Sequence, residues 1–240
     1  MICIDTTGMG QAALNAKVRG CAGDLRLTHC LGQRFIAAGR GSGRIEISGT
    51  PGNALGAYLD GAEITVMGNA QDAVGDTMNA GRIVIHGCTG DTAGYAMRGG
   101  EIYVEGSAGY RTGIHMKAYE DRFPVIVIGG RAGTFLGEYQ AGGLILVLGL
   151  HTDGKPIVSN FPCTGTHGGK LILRSNCAGI LFPKQVRVHP ATAEDMQEAM
   201  PYLGRYAKLF RRDLNAILDA AFSVAVPDSR NPYQQMYVAN

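Results

Sequence analysis

The sequence predicts an all-β solenoid: a right-handed, single-stranded parallel β-helix of about seven coils, with α-helices at its C-terminal end. Three observations predict it. Segments GRIEISG, AEITVMG, GRIVIHG and GEIYVEG carry their first isoleucines at Ile45, Ile64, Ile83 and Ile102, each 19 residues after the last; PVIVIGG (Ile126) follows after 24 residues and GLILVLG (Ile145) after a further 19. Each segment holds an apolar pair at period two, such as Ile45 with Ile47 and Ile64 with Val66, so both side chains point one way. A glycine recurs after each strand (Gly49, Gly68, Gly87, Gly106, Gly130, Gly149) and again seven residues on (Gly56, Gly75, Gly94, Gly113, Gly137). A fixed period near 20 with one strand per unit reads as a solenoid, because no unit buries its apolar pair alone.

Taken in order, residues 1–42 read as an atypical opening coil, since terminal repeats cap a stack and degenerate. It holds a short helix at 14–18, a strand at Leu25 and Leu27, and LGQRFIAAG (31–39), which echoes the later LGAYLDG. Gly39, Gly41 and Gly43 spell GxGxG, but a strand follows rather than a helix, so they read as corner glycines and not a phosphate cradle. Stacking through the core repeats, 43–149, sets equivalent residues in ladders about 4.8 Å apart. Leu59, Met78, Met97 and Met116 form one apolar inner column, methionine filling irregular gaps. Arg44, Glu63, Arg82 and Glu101 alternate in charge along an outer one. In the next two coils Val125 and Leu144 take that outward place, so these strands are apolar on both faces and need a cover, either the chain's own C-terminal helices or another protein.

Five extra residues fall within HMKAYEDRFP (115–124), and a longer insertion spans 150–169 before a last strand, KLILR (170–174). Insertions in solenoids project from one face, often the binding face. The expected partner contacts are therefore His115, Lys117, Tyr119, Asp121 and Arg122 in the bulge and His167 in the loop. After Pro183 the pattern turns helical. Thr192 and Asp195 make a capping box that opens a short helix ending at residue 200. Residues 203–222 then form an amphipathic helix, with Leu203, Tyr206, Phe210 and Ile217 on its apolar stripe and Arg205, Lys208, Arg211 and Arg212 mainly outward. The tail 226–238 reads as an extended segment with two tyrosines, laid on a surface. This divides the chain into a β-helix at 1–182 and a helical appendage with its tail at 183–240.

Composition narrows the function. Glycine makes up 36 of 240 residues, about twice the usual ~7%, and the corners account for the excess. A net charge of +2 without any basic run leaves no electrostatic footprint for nucleic acid. No apolar run approaches the ~20 residues of a membrane span. MICIDTTGMG has neither the basic start nor the apolar core of an export signal, and six cysteines without a CxxC pair fit reduced thiols, so a cytoplasmic location is expected. The six histidines lack metal-ligand spacing, and no nucleophile elbow is present. Asp72, Asp76 and Asp91 are a candidate carboxylate group for glycan cleavage, which many parallel β-helix proteins perform, although tryptophan platforms are absent.

The runs LGAYLDGAEITVMGNAQDAVGDTMNAGRIVIHG, GDTAGYAMRGG and FLGEYQAGGLILVLGL, with THGG (166–169) and the closing DSRNPYQQMY (228–237), closely resemble the GXGXG β-helix domain at the C-terminus of the glutamate synthase large subunit. The resemblance is strongest to the stand-alone version, glutamate synthase domain 3, and the same repeat appears in a formylmethanofuran dehydrogenase component. It implies a non-catalytic scaffold that joins a class II glutamine amidotransferase subunit to an FMN-dependent glutamate synthase subunit and helps form the ammonia route between them. FMN and an iron–sulfur cluster are then expected on those partners, with no cofactor bound by this chain. Cys3, behind Met1 and Ile2, is not placed to act as an N-terminal nucleophile. The other readings are the same scaffold in a formylmethanofuran dehydrogenase or N-methylglutamate synthase complex, a glycan-active enzyme, and a homo-oligomer whose apolar outer strands pair with copies of themselves.

Overall fold

A computed structural model of the chain describes residues 1–228. Most of the anticipated tail, with Tyr233 and Tyr237, lies outside the described residues. Nine strands stack in parallel and in chain order: β1 (Ile2–Asp5), β2 (Leu25–Leu31), β3 (Arg44–Thr50), β4 (Asp60–Val66), β5 (Ala80–Ile85), β6 (Glu101–Val104), β7 (Val125–Ile128), β8 (Ala141–Val147) and β9 (Gly168–Leu173). Nine strands enclose eight turns, one more than the glycine spacing gives. The extra turn lies at the N-terminus, where α1 (Gln11–Gly20) stands between β1 and β2 in place of a corner, so no glycine marks it. Leu14 and Val18 of α1 are buried in the same core as the strand isoleucines and plug the first turn.

The 19-residue spacing is the physical register. Leu25, Ile45, Ile64, Ile83, Ile102, Ile126, Ile145 and Leu171 stand opposite one another in successive strands. Each is buried, as are Leu59, Met78, Met97 and Met116 in the inner column beside them. Ile102 pairs with Ile126 without slippage, so the extra residues of the 115–124 bulge are looped out rather than absorbed.

Each regular turn has a corner of three left-handed residues two apart: Ala54, Gly56 and Tyr58; Ala73, Gly75 and Thr77; Thr92, Gly94 and Ala96; Arg111, Gly113 and His115; Phe135, Gly137 and Tyr139. Their amides bond alternately up and down the stack. Ala54 N–H donates to Asp72 O (2.9 Å) and Tyr58 N–H to Asp76 O (2.7 Å) in the next turn, while Gly56 N–H donates to Ile36 O (2.9 Å) in the previous one. The middle residue faces the core: a Cβ on Gly75 (φ 66°) would lie 2.6 Å from Ile102 Cδ1. At the two ends of the stack Ala37 and Cys163 replace this glycine. Cys163 fits because the strand two places on contributes Ala225, opposite Leu171, instead of an isoleucine. The insertion at 150–169 is thus partly regular: Ile157 and Val158 are buried, Val158 bridges Ala132, and 160–165 form a seventh corner.

Beyond Pro183 the chain first returns to strand, which the helical pattern did not anticipate. β10 (Val186–Pro190) pairs antiparallel with β11 (Ser223–Pro227), and β11 joins the solenoid sheet antiparallel to β9. Between them α2 (Ala193–Leu209) runs unbroken through Pro201, where the sequence had placed a boundary. Its break comes at residues 210–213, where Arg211 turns left-handed (φ 53°), and α3 (Leu214–Leu218) follows. An interior proline costs about 3 kcal/mol. Leu203, Tyr206 and Phe210 of the α2 stripe are all buried, and burying three such side chains contributes roughly 4–9 kcal/mol, so packing wins.

That stripe lies on Val84, Tyr103, Val125, Val127, Leu144 and Leu146, the outward residues of β5 to β8. The chain's own helix is therefore the cover that the two-faced strands require. Tyr206 Oη donates to Glu105 O (3.2 Å) across Gly129, and a Cβ there would collide with both. The outer charge ladder is paired throughout: Arg44–Glu63 at 3.6 Å, Glu63–Arg82 at 3.0 Å and Arg82–Glu101 at 3.3 Å. Arg205 closes it on Glu101, and Arg212 reaches Glu105 at 2.9 Å, so these two arginines, expected outward, face the solenoid instead. Lys170 takes the outward place after Leu144, donating to Asp195 Oδ1 and Glu198 Oε2 at 2.7 Å each. Asp195 also completes the capping box with Thr192. Burial works against its charge, but the hydrogen bonds from Lys170 and Thr192 outweigh that and hold the carboxyl down at about 2.

Gly75→Ala adds both left-handed strain and overpacking, and is expected to destabilise by about 2–4 kcal/mol in denaturant unfolding. Asp195→Asn should cost about 1–3 kcal/mol at neutral pH. Because the folded carboxyl titrates lower than the ordinary one, its contribution is complete above pH ~4 and disappears as pH falls toward 2. The gap between wild type and variant should close over that interval; a gap that persists at pH 2 would contradict the assignment.

Candidate functional site

Two features stand out from the regular wall, the bulge and the edge formed by the corners. In the bulge, Tyr119 and Arg122 exchange backbone hydrogen bonds of 3.1 and 2.9 Å across Glu120 and Asp121, making a tight hairpin tip with Glu120 at φ 55°. Tyr119, Asp121, Arg122 and Phe123 are exposed. The tip folds back over earlier coils: Arg122 lies 3.6 Å from Asp60, and with Phe123 it roofs a depression of about 390 Å³ floored by Glu63, Arg82 and Glu101.

His115 and Lys117 sit at the base of the bulge, on the corner edge. His115 stacks on Tyr139 at 5.2 Å with 10° between the rings, and meets Tyr95 edge-on at 6.0 Å. A second aromatic run joins Tyr110 to Phe135 (5.5 Å) and Phe135 to Phe161 (5.3 Å), with the Arg111 guanidinium over both Tyr110 and Phe135. Beneath it the almost fully buried Glu138 lies 2.7 Å from Arg111 Nε. His167 is on the same edge, two rows beyond Lys117, as the parallel bonds Lys117 N–H to Met97 O, Ala141 N–H to Met116 O and His167 N–H to Gln140 O establish. His167 also lines a separate cavity of about 650 Å³ with Gly168, Gly169 and the end of β11. The structure therefore gathers His115, Lys117 and His167 on one edge, with Tyr119, Asp121 and Arg122 on the projection beside it. Sequence reading missed the aromatic runs; registering each residue against the second recurring glycine would have revealed them as far as Phe135 and Tyr139, but not Phe161, whose row has Cys163 in the place of that glycine.

The candidate carboxylates are engaged in the wall. Asn53 Oδ1 accepts from Asp72 N–H (3.4 Å), Asp72 Oδ1 from Asp91 N–H (2.9 Å) and Asp91 Oδ1 from Tyr110 N–H (2.8 Å), each linking one turn to the next. Asn69, Cys88 and Ser107 repeat this at the neighbouring corner, toward Cys88, Ser107 and Arg131. Asp76 accepts from the Thr77 hydroxyl at 2.8 Å. Burial pushes the Cys163 thiol up to about 12 and raises those of Cys30 and Cys177, which makes all three poor nucleophiles. Among the described residues no three His, Cys, Asp or Glu side chains are grouped to hold a metal ion.

The family model of the GXGXG motif matches residues 9–225. The chain belongs to the GXGXG motif family, the family of glutamate synthase domain 3. An uncharacterized protein of Methanocaldococcus jannaschii is 40% identical over 250 aligned residues, covering 98% of this chain and 96% of its own. Membership of the GXGXG family points to a glutamate synthase-related role. Neither match bears on formylmethanofuran dehydrogenase. In this GXGXG chain the literal string is a corner and a strand start: Gly39 (φ 69°) donates its N–H to Ala57 O at 2.8 Å, and Gly43 (φ 82°) lies against the Gly23 carbonyl. The Gly39 amide and the Gly43 carbonyl, which accepts from Glu63 N–H at 3.0 Å, serve the stack. No helix of the described residues is long and apolar enough to cross a membrane.

Removing the cation over a buried carboxylate is costly. Arg111→Ala should destabilise by roughly 1–3 kcal/mol, less than a fully buried pair because the arginine is 40% exposed, and Glu138→Gln in the same chain should restore most of the loss. Equal stability of Arg111→Ala and wild type in denaturant would refute a working pair.

Proposed function

We propose that the chain is a non-catalytic scaffold subunit of a cytoplasmic, glutamate-synthase-like complex, holding a class II glutamine amidotransferase subunit against an FMN-dependent synthase subunit and lining part of the ammonia route between them. FMN and the iron–sulfur cluster belong to the partners in this reading. The observation that carries it is the engagement of Asp72 and Asp91, two of the three candidate carboxylates, as turn-to-turn acceptors. A wall built this way offers rigid shape rather than a reacting group. Its outer apolar strands are covered by α2, so partners meet the loops and corners instead of that face. The bulge, with exposed Tyr119 and Arg122 on a hydrogen-bonded tip, has the aromatic and arginine composition of an interface anchor.

Affinity purification of the tagged native protein, with mass spectrometry of what co-purifies and a flavin absorbance spectrum, tests the assembly. A class II amidotransferase and a flavin synthase are expected together. Recovery of a different set, such as formylmethanofuran dehydrogenase subunits, would replace the named complex. Tyr119→Ala with Arg122→Ala should weaken co-purification at least tenfold while leaving the melting temperature of the isolated chain within a few degrees; unchanged recovery would remove the bulge from the interface.

A further inference from the structure

The corner edge carries a charge order that the scaffold reading does not use. Its seven rows run 34–41, 53–60, 72–79, 91–98, 110–117, 134–141 and 160–167, and backbone bonds tie each row to the next. At about 4.8 Å per turn the edge is roughly 29 Å long, the width of an interface patch of roughly 800 Å². Its first column includes Asp72 and Asp91, and its last includes Arg98 and Lys117. Tyr95, exposed, stands in the middle row. The acids of the first column thus lie at or before the middle row and the bases of the last column at or beyond it; Arg34 at the head of the first column and Asp60 in row two of the last are the charges outside this order.

We propose that this edge binds a second copy of the chain, antiparallel, about a two-fold axis through the row of Tyr95. Such an axis exchanges first column with last and third row with fifth. Asp91 then faces Arg98 of the second copy, Asp72 faces Lys117, and both pairs recur by symmetry. Tyr95 meets its own counterpart beside the axis, and Tyr58 in row two falls one column from Phe135 in row six. The register is specific. Moving the axis one row toward the N-terminus sets Asp91 against Asp60 of the copy, and one row the other way sets it against Ala141. A surface complementary to itself about one axis closes as a dimer rather than a filament, and opposed charges at its edges fix the register. The rings supply the apolar contact: Tyr58, Tyr95, Tyr110 and Phe161 are exposed along the edge. The scaffold role is not required for this, since the argument uses only the edge itself.

Light scattering on the purified full-length chain at micromolar concentration should give twice the 25.3 kDa monomer mass. Lys117→Asp should weaken the dimer at least tenfold, and Asp72→Lys in the same chain should restore it. Asp72 also accepts a wall hydrogen bond, so an independent variant guards against misfolding. Tyr95→Cys places a thiol beside the axis and should form an intermolecular disulfide on mild oxidation, well above the background from exposed Cys3 and Cys88 and above Val188→Cys on β10. A monomeric wild-type chain, an unaffected Lys117→Asp dimer, or Tyr95→Cys crosslinking no better than Val188→Cys would each overturn the proposal.

Discussion

Everything in this chain depends on the backbone of one turn finding its hydrogen-bond partners in the next, including where the chain bends. In a sheet that is routine; at a corner it is not, because the carbonyls and amides must still point along the stack. Three left-handed residues alternating with ordinary ones meet the requirement, sending amides up and down in turn. The conformation costs non-glycine residues roughly 1–2 kcal/mol each, offset by a hydrogen bond that would otherwise be lost in a partly buried corner. Glycine is then compulsory only at the middle position, where a Cβ would enter the isoleucine ladder, as at Gly56 and Gly75. The flanking left-handed places accept alanine, threonine, tyrosine, histidine and arginine.

What was legible in the sequence follows from that constraint. The isoleucine register, the methionine column, the charge ladder and the need for an outer cover each repeat with the turn, and repetition makes a physical requirement visible. The unread parts do not repeat. A short helix was read at 14–18, but not the turn it adds, because α1 replaces a corner and so carries no glycine mark. β10 and β11 pair antiparallel across the whole of α2 and α3, a long-range contact that no local pattern announces. Pro201 gave a local signal for a helix end that tertiary packing of Leu203, Tyr206 and Phe210 overrode. Arg205 and Arg212 looked like solvated charges because their counterparts, Glu101 and Glu105, lie about a hundred residues earlier.

The candidate site was read in part, for the same reason. The bulge is an interruption of the period and could be seen as one, so Tyr119, Asp121 and Arg122 were found together. His115 was read as belonging to the bulge, yet its ring is stacked on Tyr139 in the next row of the corner edge. Aromatic runs along that edge pass through residues 25 and 26 apart, where insertions break the even spacing, as from Tyr110 to Phe135 and on to Phe161. The fold sets these rings side by side on one edge.

The wall also explains where function can reside. Side chains inside the turns are fixed by packing, and those at the two polar corners are committed to the next turn's amides: Asn53, Asp72 and Asp91 in one ladder, Asn69, Cys88 and Ser107 in the other. The interchange of Asn, Cys and Ser in one ladder indicates that an acceptor is needed there rather than a particular acid. A carboxylate in such a ladder keeps its charge while one oxygen accepts the next turn's amide, so the same residue that joins two turns also sets the charge of the surface. A stacked fold therefore writes recognition as columns, each row contributing one side chain at a spacing of about 4.8 Å. A partner, whether a catalytic subunit or a second copy of the chain, would read the order of charges and rings along an edge rather than the contents of a pocket.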